Sequence, residues 1–138
     1  MRDCIFCKIA KGEIPTETII YRDTDVCVFL DIKPVNLGHA LVIPNEHYES
    51  IFDLPEDTLS AMTRTAKKVA EAIKISLKTG GINIGMNNGT HAGQLIFHSH
   101  IHVIPRFAGD GYKLWKNKKS FGQNELKETA DKIKSAIS

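Results

Sequence analysis

The sequence has few cysteines and no long hydrophobic run. Its 138 residues include only three cysteines, an odd number that argues against a disulfide framework and favours reduced thiols or a metal site. No apolar stretch approaches the roughly 18 residues of a membrane-spanning helix, and residues 1–11 mix charges with cysteines instead of forming the apolar segment of a signal peptide. We therefore expect a cytoplasmic protein.

The chain also has almost no excess of one charge sign over the other. The net charge of +2 at pH 7 gives no electrostatic reason to expect a nucleic acid or a membrane as a partner. A chain of this length can bury one sizeable core without disulfides or an obligatory metal, and neither a repeat nor a linker divides it. We predict a single domain over residues 1–138, with a core over residues 4–106 and a C-terminal loop and helix over residues 107–138.

What is present is a regular order of strand and helix signals. In chain order the patterns predict a helix over 4–11, strands over 18–21, 26–30 and 39–43, a long helix capped by Asp53 and ending near Gly80, strands over 82–86 and 96–104, and a last helix capped by Asn124. This order indicates an α+β fold with one five-stranded antiparallel sheet, one long helix and short N- and C-terminal helices.

Three histidines alternate along the last predicted strand. His98, His100 and His102 would project from one face at intervals of roughly 6.6 Å, since alternate residues of a strand share a face. Two chemistries use such a face. Three histidines can hold a catalytic zinc that keeps an open position for water, or one imidazole can attack phosphorus while the others bind phosphate oxygens or move protons.

The loop before these histidines favours the second chemistry. Residues 87–94, with the sequence Asn-Asn-Gly-Thr-His-Ala-Gly-Gln, supply side-chain amides and sterically open backbone N–H groups. Such groups suit a phosphate and offer few metal ligands.

The segment from His98 to Ile104 resembles the signature of the histidine triad (HIT) superfamily of nucleotide hydrolases and transferases. Residues 29–34 and 38–44 resemble its nucleoside-binding segment, and Gly93 with Gln94 resembles its phosphate loop, so the likeness covers most of residues 4–106. Residues 4–9 and 13–15 are most similar to bacterial and archaeal relatives in the Hint branch. The resemblance implies a HIT-like fold and a homodimer whose sheets join across the subunit interface.

The same resemblance implies a nucleotidyl hydrolase acting at the α-phosphate of nucleoside phosphoramidates or related purine nucleotide conjugates. His100 would attack and form a transient nucleotidyl-phosphohistidine, His102 would hold phosphoryl oxygens and assist proton movement, and His39 would help to orient the nucleophile. The implied ligand-binding residues are Asn87, Gly93 and Gln94 for the phosphate, Asp31 for the ribose, and Phe6, Ile9, Ile14, Phe29, Leu30 and Ile32 for the base. Core packing explains the apolar members of this set equally well.

Cys4 and Cys7 form half of a tetrahedral metal site, although two small side chains packing a helix would explain them as well. Similarity to prokaryotic HIT proteins with this N-terminus implies one structural zinc per chain, completed by His47 and His98. His98 would then serve the metal and not the reaction.

Two departures bear on the substrate. Leu95 stands where Hint-branch enzymes often carry a serine, which weakens the expectation of a phosphoramidate. Arg106 follows the triad as in diadenosine polyphosphate hydrolases of the Fhit branch, where it would contact an extra phosphate.

His102 stands where transferase branches carry glutamine, which favours a hydrolase. The alternatives are therefore a diadenosine polyphosphate hydrolase, a nucleotide-binding or scaffolding protein with incidental turnover, and a triad that itself holds a catalytic metal.

Overall fold

The predicted α+β architecture is confirmed in the computed structural model, which describes residues 3–137; residues 1, 2 and 138 of the predicted domain lie outside that range. One antiparallel sheet has the strand order β1-β2-β3-β5-β4. Its strands are β1 (Ile19–Arg22), β2 (Val26–Leu30), β3 (Ala40–Pro44), β4 (Gly81–Gly85) and β5 (Ile101–Arg106), and the helices are α1 (Ile5–Ala10), α2 (Glu56–Leu77) and α3 (Gln123–Ala136). Within residues 3–137, no helix has both the length and the apolar character required to cross a bilayer.

The two faces of the sheet are covered by different helices. On one face, β2, β3 and β5 pack against α2 through a core of Val26, Val28, Ala40, Val42, Ile101, Val103, Met62, Ala66, Val69 and Ile73. On the other face, Phe6 of α1 packs on Cys27, Phe29, Leu41 and Ile43. Because β2 and β3 are buried on both faces, they read in the sequence as continuous apolar runs. His102 pairs with Leu41, which puts its imidazole on the α1 face.

The predicted histidine strand over residues 96–104 is wrong at its start. The strand begins at Ile101, so only His102 of the three histidines lies in the ladder, while His98 and His100 precede it. The backbone N–H of Ser99 donates to the carbonyl of Tyr48 at 2.6 Å and not to a neighbouring strand. The facing strand ends at Pro44, which has no N–H to continue the ladder. The three imidazoles therefore do not share one regular strand face.

The predicted helix caps also differ from those observed. The helix α2 begins at Glu56 after Pro55 and stops at Leu77, because Lys78 adopts a left-handed conformation. Asp53 instead accepts a hydrogen bond from the backbone N–H of Glu49 at 3.2 Å. At α3, Glu125 accepts from the N–H of Gly122 at 3.2 Å, so Asn124 lies inside the helix. No residue of α3 within the described range is buried, and its apolar stripe faces solvent.

Candidate functional site

The start of β3 and the start of β5 bring two histidines together. Ala40 pairs with Val103 and Leu41 pairs with His102, so His39, directly before β3, reaches the same edge as His102. Their Nε2 and Nδ1 atoms are 2.9 Å apart. The ring of His100 lies beside that of His102, with centroids 5.0 Å apart. The structure thus groups the three predicted catalytic imidazoles on the α1 face of the sheet.

Hydrogen-bond partners assign the proton positions in this group. The backbone N–H of Val35 donates to Nδ1 of His39 at 3.0 Å, so a neutral His39 carries its proton on Nε2 and donates it to Nδ1 of His102. A neutral His102 must then carry its own proton on Nε2. We call this chain from Val35 through His39 to His102 the imidazole relay. Its end is a hydrogen-bond donor, Nε2–H of His102.

His100 has the opposite assignment. Its Nδ1 lies 2.7 Å from the carbonyl of His98, and since a carbonyl only accepts, Nδ1 carries the proton and Nε2 keeps a lone pair. Burial lowers the pKa of His100 and lowers the pKa of His102 to about 4, because desolvation disfavours the charged imidazolium. Both rings are therefore neutral at pH 7, one presenting a lone pair and the other an N–H.

A second cluster joins α1 to the segment before β5. Nδ1 of His98 lies 3.4 Å from Sγ of Cys4 and 3.5 Å from Sγ of Cys7, and Nδ1 of His47 lies 3.3 Å from Sγ of Cys7. The four ligand atoms all lie within 4.8 Å of one another. A tetrahedral zinc with ordinary bond lengths would separate sulfur and nitrogen ligands by about 3.6 Å, which matches this spacing.

The proton state of His98 also fits a metal. Its Nε2–H donates to the carbonyl of Pro44 at 2.8 Å, so Nδ1 keeps its lone pair toward the two sulfurs, as a metal ligand fixed by an outer hydrogen bond does. Burial lowers the pKa of His98 to about 4. Because its two nitrogens are engaged in this way, His98 does not converge with His100 and His102, and the arrangement gives no support to a metal held by the triad.

The loop after β4 places Asn87 and Gly93 together but turns Gln94 inward. A side chain at Gly93 would begin 3.7 Å from Nδ2 of Asn87. The amide of Gln94 is 2% exposed; it accepts from the N–H of Gly89 and donates to the carbonyls of Glu49 and Ile96. Its own N–H donates to the carbonyl of Gly89. The side chain of Gln94 thus fixes the loop in this structure.

The predicted base-binding residues divide between the two faces of the sheet. Phe6 packs edge-on against Phe29, with ring centroids 5.2 Å apart, and against His100 at 5.3 Å. Ile9 joins the same cluster, Ile14 is half-buried after α1, and Ile32 is 88% exposed. Leu30 was also expected in the base site. Strand alternation instead turns its side chain to the other face of the sheet, where it packs against the α2 core.

Asp31 lies between this surface and the relay. Its Oδ2 is 3.8 Å from Nε2 of His39, and its Oδ1 accepts from the N–H of Lys33 at 2.9 Å. The carboxylate is therefore held in place with acceptor capacity remaining.

Arg106 is held by neighbouring side chains at the end of β5. Nε and Nη2 form a fork on the carboxylate of Asp110 at 2.7 and 2.8 Å, and Nη1 donates to Oδ1 of Asn83 at 2.8 Å. The guanidinium is thus engaged within the fold, and contact with an extra phosphate would compete with these bonds. Sequence reasoning missed Asp110, Asn36 and the N–H of Val35, although the four-residue spacing of Arg106 and Asp110 was a signal for their ion pair.

Sequence comparisons relate this chain to known proteins. The sequence model of the HIT domain matches residues 11–109, which contain the whole sheet and α2 but not Cys4 and Cys7. An uncharacterised HIT-like protein of Methanocaldococcus jannaschii is 49% identical over 108 residues, 78% of this chain and 82% of that protein. An adenylylsulfatase of Arabidopsis thaliana is 40% identical over 104 residues, 75% of this chain and 52% of that protein.

Solved structures agree over nearly the full length. A crystal structure of a Streptococcus mutans protein matches with a TM-score of 0.93 at 37% identity, covering 100% of this chain and 87% of that one. A zinc-bound histidine triad family protein of Mycobacterium smegmatis matches with a TM-score of 0.76 at 34% identity, covering 98% of each chain.

Proposed function

Because this chain belongs to the histidine triad (HIT) family, whose members are nucleotide-binding hydrolases and transferases, we propose that it is a nucleotidyl hydrolase acting on purine nucleotide conjugates. The observation that carries the proposal is the pair of neutral imidazoles with opposite proton assignments. Nε2 of His100 has a lone pair, while Nε2–H of His102 ends the imidazole relay. A nucleophile beside a hydrogen-bond donor is what phosphoryl transfer through a covalent intermediate requires.

In the proposed first step, Nε2 of His100 attacks the α-phosphorus and the bond from phosphorus to the leaving group breaks, with its electron pair departing on that group. Nε2–H of His102 donates to a phosphoryl oxygen whose negative charge grows in the transition state. In the second step, water attacks phosphorus and the bond to His100 breaks. One water is consumed overall, with its hydroxyl going to phosphorus and its other proton to the solvent. A departing amine takes up one proton from the solvent in the first step, so the proton count balances, whereas sulfate leaves as the anion and one proton is released.

The nucleotide would lie across the α1 face, with its phosphate near Asn87 and Gly93. Asp31 has free acceptor capacity for the ribose hydroxyls, and Phe6 with Phe29 offers an aromatic wall for the base. Ile9, Ile14 and Ile32 complete that apolar surface. Gln94 would support the phosphate site by holding the loop after β4 with its side-chain amide. Leu30 is left out of the base site.

We also propose one structural zinc per chain on Cys4, Cys7, His47 and His98. The ligand chemistry, the spacing of the four atoms and the zinc-bound relative from Mycobacterium smegmatis support it. The metal would tie α1 to the segment that carries His98. The carbonyl of His98 in turn accepts a hydrogen bond from Nδ1–H of His100, so the zinc centre would orient the nucleophile without touching substrate.

A homodimer is the proposed assembly. Among the described strands, β4 is paired only with β5 and leaves its other edge open, and Ile84 on that edge is 54% exposed. An apolar groove next to it is lined in part by Ile82 and by Ala66 and Ala70 of α2. An open edge beside an apolar groove is the kind of surface that pairs with a second sheet.

The two alternatives are a diadenosine polyphosphate hydrolase and a nucleotide-binding scaffold. The first was favoured by Arg106 as a ligand for an extra phosphate, and the bonds of Arg106 to Asp110 and Asn83 weaken that argument. A nucleotide-binding scaffold would bind the same ligands without turning them over.

The test is hydrolysis of an adenosine phosphoramidate, adenylyl sulfate and a diadenosine polyphosphate by wild type, His100→Ala and His91→Ala. His91 is an exposed loop histidine and is the matched control. We expect the phosphoramidate or adenylyl sulfate to be turned over, with at least about a thousandfold loss of kcat in His100→Ala and little change in His91→Ala. Nucleotide binding without turnover by wild type would overturn the catalytic proposal and support the scaffold.

A further inference from the structure

A partly buried ionic clasp, formed by Arg106, Asp110 and Asn36, lies next to the imidazole relay. Its centre is the Asp110 side chain, 7% exposed, which forms two hydrogen bonds with Arg106 and also accepts from the N–H groups of Phe107 and Tyr112. Arg106 beside it holds the pKa of that carboxyl well below its usual range. A carboxylate with this many donors is a rigid anchor.

Asn36 connects the clasp to the loop before β3. Its Nδ2 donates to Oδ2 of Asp110 and to the carbonyl of Pro105, each at 2.9 Å. Its own carbonyl accepts the N–H of His39 at 3.0 Å. The side chain of Asn36 therefore ties the loop to β5 and the C-terminal turn, while its backbone closes the turn that delivers His39.

Val35, directly before Asn36, affects the proton positions in the imidazole relay. The N–H of Val35 donates to Nδ1 of His39, which excludes a proton on that nitrogen, and the Asp31 carboxylate 3.8 Å from Nε2 favours the proton there. A loop shift of about 1 Å would break the bond from Val35, and the Nδ1–H form of His39 could no longer donate to His102. The relay then has no fixed direction, and Nε2 of His102 is no longer held as a donor.

We propose that Asn36 and Asp110 are positioning residues for catalysis: the clasp holds the loop so that the N–H of Val35 fixes the proton of His39 on Nε2. This inference deepens the proposed function and rests on it for its kinetic readout. Neither residue needs to touch substrate, so the clasp acts on kcat through His102 and leaves nucleotide affinity largely unchanged.

The primary variant is Asn36→Ala, which removes both side-chain bonds but leaves the pair of Arg106 and Asp110 intact. The second is Asp110→Asn. The matched control is Asp131→Asn, because Asp131 pairs with Lys127 at the same four-residue spacing on α3, at 3.0 Å and away from the relay. All three are measured as full-length protein with saturating zinc, and thermal unfolding identifies the variants that are folded at the assay temperature.

Two readouts separate positioning from simple stability. We expect Asn36→Ala to lower kcat about tenfold or more, as misplacement of about 1 Å does, with KM within twofold of wild type and Asp131→Asn unchanged. Imidazole 15N spectra should show His39 protonated on Nε2 in wild type and a mixture of both forms in Asn36→Ala. If Asp110→Asn does not fold, Asn36→Ala alone carries the test.

Several results would overturn the inference. They are wild-type kcat in folded Asn36→Ala, a raised KM at unchanged kcat, or an unaltered 15N signature for His39. The spectra do not depend on turnover. An inactive wild type would therefore contradict the proposed function, while the proton position of His39 would still decide whether the clasp sets it.

Discussion

Replacing Gly38 by alanine should destabilise the fold through the backbone more than through a clash. Gly38 has a φ of +101° directly before His39, and a Cβ there would lie 2.4 Å from Cδ1 of Leu77. A left-handed alanine costs about 1–2 kcal/mol. The clash adds only about 1 kcal/mol, at the low end for overpacking, because Leu77 is partly exposed and its side-chain end can move. We expect a loss of about 2–3 kcal/mol in the free energy of unfolding.

Urea unfolding followed by circular dichroism at a fixed zinc concentration measures this loss. Gly81→Ala is the matched control, since its Cβ would meet nothing within 4 Å and its φ is not in the left-handed range. The double variant Gly38→Ala/Leu77→Ala should recover no more than the clash, after allowance for the Leu77→Ala loss measured alone. A cost below about 0.5 kcal/mol for Gly38→Ala, or full recovery in the double variant, would refute the reasoning.

Three further predictions concern the metal, the imidazoles and the open sheet edge. Cys7→Ser should lower bound zinc from one per chain and reduce Tm, and metal analysis showing no zinc in chelator-free wild type would contradict the site. Because burial lowers the pKa of His102 to about 4 and also lowers the pKa of His100, kcat/KM should not fall to half at pH 6.5; half-loss near 6.5 would be inconsistent with two buried neutral rings. The unfolded chain binds a proton on His102 below pH 6.5 and the folded chain only nearer pH 4, so His102 should make the unfolding free energy smaller as pH drops through that window. Ile84→Asp should turn a dimer into a monomer by light scattering, whereas a wild type that is already monomeric would exclude the proposed assembly.

Sequence patterns predicted the sheet well because β2 and β3 are apolar on both faces and the turns between strands are polar. They failed where backbone partners come from distant loops. The Ser99 N–H bonds to Tyr48, fifty-one positions earlier, and no local periodicity reports such a contact. The predicted cap of α2 was wrong for a different, local reason, since Asp53 accepts a hydrogen bond from the backbone N–H of Glu49, four residues earlier.

For the candidate site, residue types were easier to predict than orientations. Alternation along β2 separates Leu30 from Phe29, a distinction that follows from strand geometry once the register is known. The inward turn of Gln94 and the engagement of Arg106 depend in part on distant partners, Glu49 for Gln94 and Asn83 for Arg106. The proton assignment of His39 depends on the N–H of Val35, a backbone group that carries no residue signal.

His98 has three separate attachments: Nδ1 toward the sulfurs of Cys4 and Cys7, Nε2–H on Pro44, and its carbonyl on His100. A substitution at His98 would therefore remove the metal ligand and the bond to Pro44 together, but the backbone carbonyl, which any amino acid supplies, would still accept from Nδ1–H of His100.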